Sequence, residues 1–256
     1  MVIIWGSRHY FRRDVLRERG VCEHCGQEAP LETFTARKMG HLYYVPLIPE
    51  GHERVIRLCR RCNRYSSLPV SALPAAIDET TAKATTHLDA GEADGALGLV
   101  AALMYLGATD AAGEVLDRLE KGGHAKQAWI GRGVVAEKLG DMAQAADHYA
   151  AAVREDGRDA SLRCMLADAL MQADRAGAAL EHLRQAASLA PEDPHVRMQL
   201  LSCFETLGDL DGQIDTMQEL IRRVPQLASD RKFQKRLRKL CRKAGREERP
   251  NPYAPV

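Results

Sequence analysis

Aromatic side chains are scarce in this 256-residue chain, 5% of the total, with two Trp and four Phe. So little aromatic material, set in Ala-rich text, argues against a β-sandwich and for helices. Long hydrophobic runs are missing too. The longest, Ala96 to Ala108, is interrupted by Gly98 and Gly107 and is too short to cross a bilayer. The opening Met1-Val2-Ile3-Ile4-Trp5-Gly6 is too short for the apolar core of an export signal, so a cytoplasmic setting is expected. No phosphate loop, nucleophile–base pair or open metal site stands out, which argues against an enzyme. Net charge is nearly absent, 36 Lys+Arg against 35 Asp+Glu, yet only by cancellation. Residues 1–70 carry net +5, residues 71–227 net −11 and residues 228–256 net +7. Three segments of different charge imply a modular chain. With 45% hydrophobic residues there is enough apolar material for a core, which excludes wholesale disorder.

What the chain does have is seven cysteines, four of them in two pairs: Cys22-x-x-Cys25 and Cys59-x-x-Cys62. Two thiolates at this spacing fit one tight turn and face one cation, and Gly26 supplies backbone freedom for the first turn. Two such turns make a closed tetrahedral Cys₄ site that suits one structural Zn²⁺. Disulfides would need an oxidising compartment, and a redox role for one pair would want a thioredoxin-like context that is not visible. His24, His41 and His52 are not needed as ligands. Between the pairs, Leu31–Ala36 and Val55–Leu58 alternate as strands, Leu42–Val45 is aromatic-rich, and Pro49-Glu50-Gly51 reads as a hairpin turn. A domain of this size with so few apolar residues needs the metal as a staple.

The Ile3–Gly6 opening, both knuckles and the stretch Tyr43-Tyr44-Val45-Pro46-Leu47-Ile48-Pro49 resemble a family of small bacterial zinc-ribbon proteins. The resemblance covers residues 2–65 and implies a zinc-ribbon fold and a bacterial cytoplasmic setting. It implies no reaction. Arg54, Arg57, Arg60, Arg61 and Arg64 crowd the second knuckle, either as phosphate contacts or as cations offsetting the −2 charge of a zinc tetrathiolate. Arg12, Arg13, Arg17 and Arg19 alternate with Asp14 and Glu18, as on a solvated helix.

The expected boundaries are a small β-rich ribbon at 1–65, a Ser/Pro linker at 66–75 and helical repeats at 76–227. A basic capping helix at 228–246 and a disordered tail at 247–256 complete the chain. The repeats emerge from a 34-residue frame opened at Lys126. Trp129, Gly133, Leu139-Gly140-Asp141, Ala145, Tyr149 and Ala152 occupy positions 4, 8, 14–16, 20, 24 and 27. Further frames begin without a gap at Ala160 and Pro194. The units 126–159, 160–193 and 194–227 resemble the tetratricopeptide (TPR) repeat position by position, and 93–125 is a degenerate unit one residue shorter. Arg163 and Gln213 depart from the pattern. The implied fold is an all-α superhelix, an α-solenoid in which each unit buries its apolar face on its neighbours.

In such arrays the first helix of each repeat lines the binding surface. Positions 2, 5, 9 and 12 give Gln127, Ile130, Val134 and Glu137; Ser161, Cys164, Asp168 and Met171; and His195, Met198, Ser202 and Glu205. This lining has no Lys, Arg or Asn to clamp a carboxylate and suits a basic or amphipathic segment. Cys164, Cys203 and Cys241 read as packing residues. In the last helix Phe233, Leu237, Leu240 and Ala244 form an apolar stripe beside eight cations. The expected function is a non-enzymatic protein-interaction adaptor with a structural zinc and no membrane span. The alternative is nucleic-acid association through Arg57, Arg60, Arg61 and Arg64 with Lys235, Arg238, Lys239 and Arg242. The ribbon is expected to fold independently of the repeats.

Overall fold

The computed structural model describes residues 5–42 and 45–246. Two compact units result, Met1–Asp141 and Met142–Val256. Parts of the zinc-ribbon resemblance, at Ile3-Ile4 and Tyr43-Tyr44, and the expected tail at 247–256 lie outside the described residues.

The first unit opens with an antiparallel sheet in chain order, built from β1 (Trp5–Val21), β2 (Glu28–Leu42), β3 (Val45–Cys59) and β4 (Ser66–Pro69). Arginines 12 to 19, expected on a helix, therefore belong to a strand. Two bulges disguise it: the register slips between Tyr10 and Arg13 and again between Arg13 and Leu16, with Phe11 and Asp14 at positive φ. Pro49-Glu50-Gly51 is not the hairpin turn. Leu42 pairs with Val45, so the hairpin closes there, while Lys38 faces Gly51 and Met39 faces Pro49, leaving Glu50 as a bulge within β3. The expected linker is also corrected. Ser66–Ser67–Leu68–Pro69 pairs with Glu53–Ile56 of β3 as an edge strand, where proline costs no ladder bond to a further neighbour.

A short 3-10 turn at Val70–Ala72 leads directly into α1 (Leu73–Asp89), followed by α2 (Ala93–Leu106), α3 (Thr109–Lys121) and α4 (Ala125–Leu139). Their core joins Val100, Leu103, Met104, Val115, Leu116 and Leu119. Gly131 shows how closely these helices approach: a Cβ there would lie 2.2 Å from Leu116 Cδ2 and 2.9 Å from Leu97 Cδ1.

The second unit holds α5 (Met142–Glu155), α6 (Ala160–Gln172), α7 (Ala176–Leu189), α8 (Pro194–Leu207), α9 (Leu210–Arg223) and α10 (Arg231–Ala244). Side-chain caps from Asp159, Asp193, Asp209 and Asp230 start α6, α8, α9 and α10, each contributing about 1 kcal/mol. The small positions of the 34-residue frame are closed contacts: Ala145, Ala152, Ala167, Ala179 and Ala186 are fully buried. Gln213, the departure at position 20, is buried with its amide donating to the Phe204 carbonyl at 3.3 Å. The turn after α8 uses Gly208 at φ +71°, and the turn after α6 uses Asp174 at φ +59° in the same role. The α10 stripe of Phe233, Leu237, Leu240 and Ala244 packs with Leu201, Ile214, Met217 and Leu220, and Cys241 lies within this core. No helix among the described residues is long and apolar enough to cross a membrane.

Candidate metal centre and docking groove

The two cysteine knuckles are built alike. Cys22 N–H donates to the Gln27 carbonyl and Cys59 N–H to the Arg64 carbonyl, both at 3.0 Å. Gly26 N–H donates to the Cys22 carbonyl and Asn63 N–H to the Cys59 carbonyl, both at 2.8 Å. Each turn needs a left-handed residue, Gly26 at φ +65° and Asn63 at φ +56°. Asn63 is the counterpart that the sequence reading missed, although asparagine tolerates this conformation well. Backbone N–H groups of His24 and Arg61 point at the Cys22 and Cys59 sulfurs at 3.4 Å.

All four sulfurs, of Cys22, Cys25, Cys59 and Cys62, lie within 4.8 Å of one another, an arrangement that can hold a metal ion. The Cys22–Cys62 sulfur separation is 3.8 Å. That equals the edge of a tetrahedron with metal–sulfur bonds of about 2.3 Å, and is far beyond the roughly 2.05 Å of a disulfide. The Cys62 and Arg61 amides pull the Cys59 thiol down to about 7. The Arg64 amide acts likewise on Cys62, but burial and the neighbouring thiols outweigh it and leave Cys62 at about 11. His41 lies elsewhere, buried against the Tyr10 hydroxyl at 2.6 Å, while His24 and His52 are exposed.

The arginines around this centre divide into two groups. Arg57 bridges Glu18 at 3.1 Å, Glu23 and the Val21 carbonyl at 3.2 Å. Arg60 and Arg12 hold Glu32 at 2.6 and 3.0 Å. Arg61 and Arg64 are exposed and make no ion pair among the described residues.

Arg54 is different. The residue is 2% exposed, and its guanidinium donates to the Tyr105 carbonyl at 2.8 Å, the Asp14 carbonyl at 3.2 Å and Thr35 Oγ1 at 3.0 Å. It therefore ties β1, β2 and β3 to the end of α2. A second latch lies alongside. Glu18 accepts from the Tyr105 hydroxyl at 2.9 Å, from Arg57 and from Lys138 of α4, and Lys138 also donates to Tyr105 at 3.0 Å. Burial alone would raise the Glu18 carboxyl; Lys138, Tyr105 and Arg57 outweigh it and hold it below its ordinary value. Within the first unit the sheet is thus packed on α2 and α4.

In the second unit, a cleft of about 420 Å³ lies between α6 and α8. Ser161, Cys164, Asp168 and Met171 line it from α6, and His195, Met198 and Ser202 from α8. Asp193, Val196 and Gln199, absent from the sequence-derived set, complete the wall. Asp193 could have been found as the N-cap before Pro194. Gln199 Nε2 holds Asp168 at 2.7 Å, and Met198 stands 49% exposed. Glu205 is outside this lining and pairs with Arg236 of α10. Gln127, Ile130, Val134 and Glu137 lie half-buried on α4 of the first unit. The lining contains no Lys or Arg. Burial first, and then Asp168, Asp193 and Asp159, push the Cys164 thiol up to about 11.

A family model described as tetratricopeptide repeat matches residues 97–160 and 164–228. No curated protein matches the chain. Among solved structures, YrrB, a TPR protein with an unusual peptide-binding site, is 21% identical over 70% of this chain and 87% of its own, with a TM-score of 0.49. The first TPR of Spaghetti (RPAP3) bound to the HSP90 peptide SRMEEVD is 16% identical, over 47% of this chain and 94% of its own, with a TM-score of 0.40. MamA from Desulfovibrio magneticus RS-1 is 15% identical over 58% and 82%, at 0.47.

Proposed function

The chain belongs to the tetratricopeptide repeat family, and from that premise we propose that it is a non-enzymatic adaptor whose α6/α8 cleft receives a basic, amphipathic segment of a partner protein. The observation that carries this reading is the cleft's composition. Two methionines offer adaptable apolar contact, Asp168 and Asp193 supply negative charge, and no cation competes with an incoming Lys or Arg. Asp168 and Asp193 also add to the burial that raises the Cys164 thiol. His195 is the single lining residue able to oppose it. Positive charge on the partner sets orientation and encounter rate, while Met171 and Met198 supply the desolvated contact.

In the same reading the four-cysteine centre is a zinc ribbon holding one structural Zn²⁺. Sulfur spacing and the amides aimed at Cys22 and Cys59 support it, and four thiolates leave no coordination position for a reaction. Four metal-bound thiolates and three further thiols outside any disulfide, Cys164, Cys203 and Cys241, suit a reducing compartment, so a cytoplasmic setting belongs to this proposal.

The test is calorimetric titration of the full chain with a 15-residue peptide of Lys and Leu at helical spacing, and with its Glu/Leu counterpart. The Lys/Leu peptide should bind, and Met198→Glu or Asp168→Asn should each weaken it about tenfold or more. Equal binding of the Glu/Leu peptide, or indifference to both substitutions, would refute the groove.

A further inference from the structure

The exposed face of α10 is the one strongly charged surface of the described residues that neither the cleft nor the metal centre uses. Arg231, Lys235, Arg238 and Arg242 recur at spacings of four, three and four residues, so they stand in one line along the helix. Eleven residues at 1.5 Å rise spread these four cations over about 16 Å. Lys232, Lys239 and Lys243 form a second row beside them, all exposed. After its N-cap Asp230 the helix carries no acidic residue, and among the described residues Arg236 alone of its eight cations forms an ion pair with a carboxylate, that of Glu205.

Two physical facts restrict what such a face can bind. The apolar stripe of α10 is already committed to the core with Leu201, Ile214, Met217 and Leu220. The helix therefore has nothing left to insert into a bilayer, which surface-lying amphipathic helices require. None of the exposed large hydrophobic side chains belongs to α10. A protein–protein interface gains its affinity from a desolvated apolar centre, and this face has none to offer. It presents closely spaced cations, three of them, Arg231, Arg238 and Arg242, guanidiniums suited to phosphate oxygens.

We infer that α10 binds the sugar–phosphate backbone of a nucleic-acid strand, with Arg231, Lys235, Arg238 and Arg242 each facing successive phosphates. Binding is independent of sequence, because the four cations meet phosphates rather than base edges and Phe233, the helix's sole aromatic, is packed against the core. The second-knuckle arginines contribute less: Arg57 and Arg60 are held by Glu18, Glu23 and Glu32.

The experiment is fluorescence anisotropy of a labelled 20-nucleotide oligouridylate with the 256-residue chain in the presence of Zn²⁺. Four phosphate contacts on a single strand give a slope of log affinity against log salt of about −3, so affinity should fall about 50-fold between 50 and 200 mM KCl. Replacing the four stripe residues with Gln, which preserves helix propensity, should abolish binding while circular dichroism stays unchanged. The Arg61→Gln/Arg64→Gln variant should retain it. A slope shallower than −1, or loss of binding in the Arg61/Arg64 variant but not in the α10 variant, would overturn the proposal. So would equal or tighter capture of a poly-glutamate peptide or a phosphatidylglycerol vesicle at the same ionic strength.

Discussion

Replacing Arg54 with Met tests how the sheet is held to the first helices. The substitution keeps the side chain's length and removes a guanidinium that serves three acceptors: the Tyr105 carbonyl, the Asp14 carbonyl and Thr35 Oγ1. A buried acceptor left without its donor costs about 1–3 kcal/mol, so three give roughly 3–9 kcal/mol in gross terms. Against this stands the relief of no longer burying a cation, a burden visible in the lowered basicity that burial imposes on Arg54. The net loss should be about 3 kcal/mol for unfolding of the first unit. Arg54→Lys should lose nearly as much, because one ammonium cannot reach three oxygens that a planar fork reaches from different atoms. Urea denaturation of the metal-loaded protein gives the magnitude. Hydrogen exchange gives the location: amides of β3 and the end of α2, around Tyr105 and Gly107, should lose protection together. A loss under about 0.5 kcal/mol, or a Lys variant indistinguishable from the parent, would refute the latch.

Glu18 has a lowered pKa, so the stability it contributes is present above the unfolded carboxylate value and disappears only as pH falls through the lower folded value. Protection of α4 near Lys138 should therefore hold at pH 5 and fail below the usual carboxylate range, and Glu18→Gln should flatten that acid limb in exchange measurements. Chelating the proposed zinc, or Cys59→Ser, should raise exchange in α2 and α4 as well as in the sheet, because Arg54 and Glu18 leave with it; unchanged α2 would contradict the docked arrangement. With its thiol at about 11 rather than 9, Cys164 should alkylate roughly a hundredfold more slowly at pH 8 than an unperturbed cysteine, as read by mass spectrometry of the native protein.

The parts of this fold that were legible in the sequence are those that repeat. Paired Cys-x-x-Cys spacing located the four sulfurs, and the 34-residue frame placed Ala145, Ala167 and Ala179 at buried crossings. The sheet was legible only in part, because bulges at Phe11, Asp14, Glu50 and Arg57 shift the two-residue alternation that reveals a strand. Four-residue β4 is rich in Ser and Pro, and pairing with β3 rather than its own pattern makes it a strand. Arg54 read as one more member of a basic patch. What sets it apart is Tyr105, 51 residues away, and no local pattern carries that information. Seven of the twelve first-helix residues singled out by the repeat frame, Ser161, Cys164, Asp168, Met171, His195, Met198 and Ser202, line the α6/α8 cleft, while the four on α4 do not. Asp193, Val196 and Gln199 also line it outside that frame, whereas Glu205 pairs with Arg236 of α10 instead.

The most direct measurement is a methyl NMR titration of the full chain, labelled at its eight methionines, with the Lys/Leu peptide. Docking in the α6/α8 cleft predicts shifts of the Met171 and Met198 methyl signals that saturate together, with Met104 and Met217 in the cores unmoved. Saturating binding that leaves Met171 and Met198 in place would contradict the assignment of this cleft.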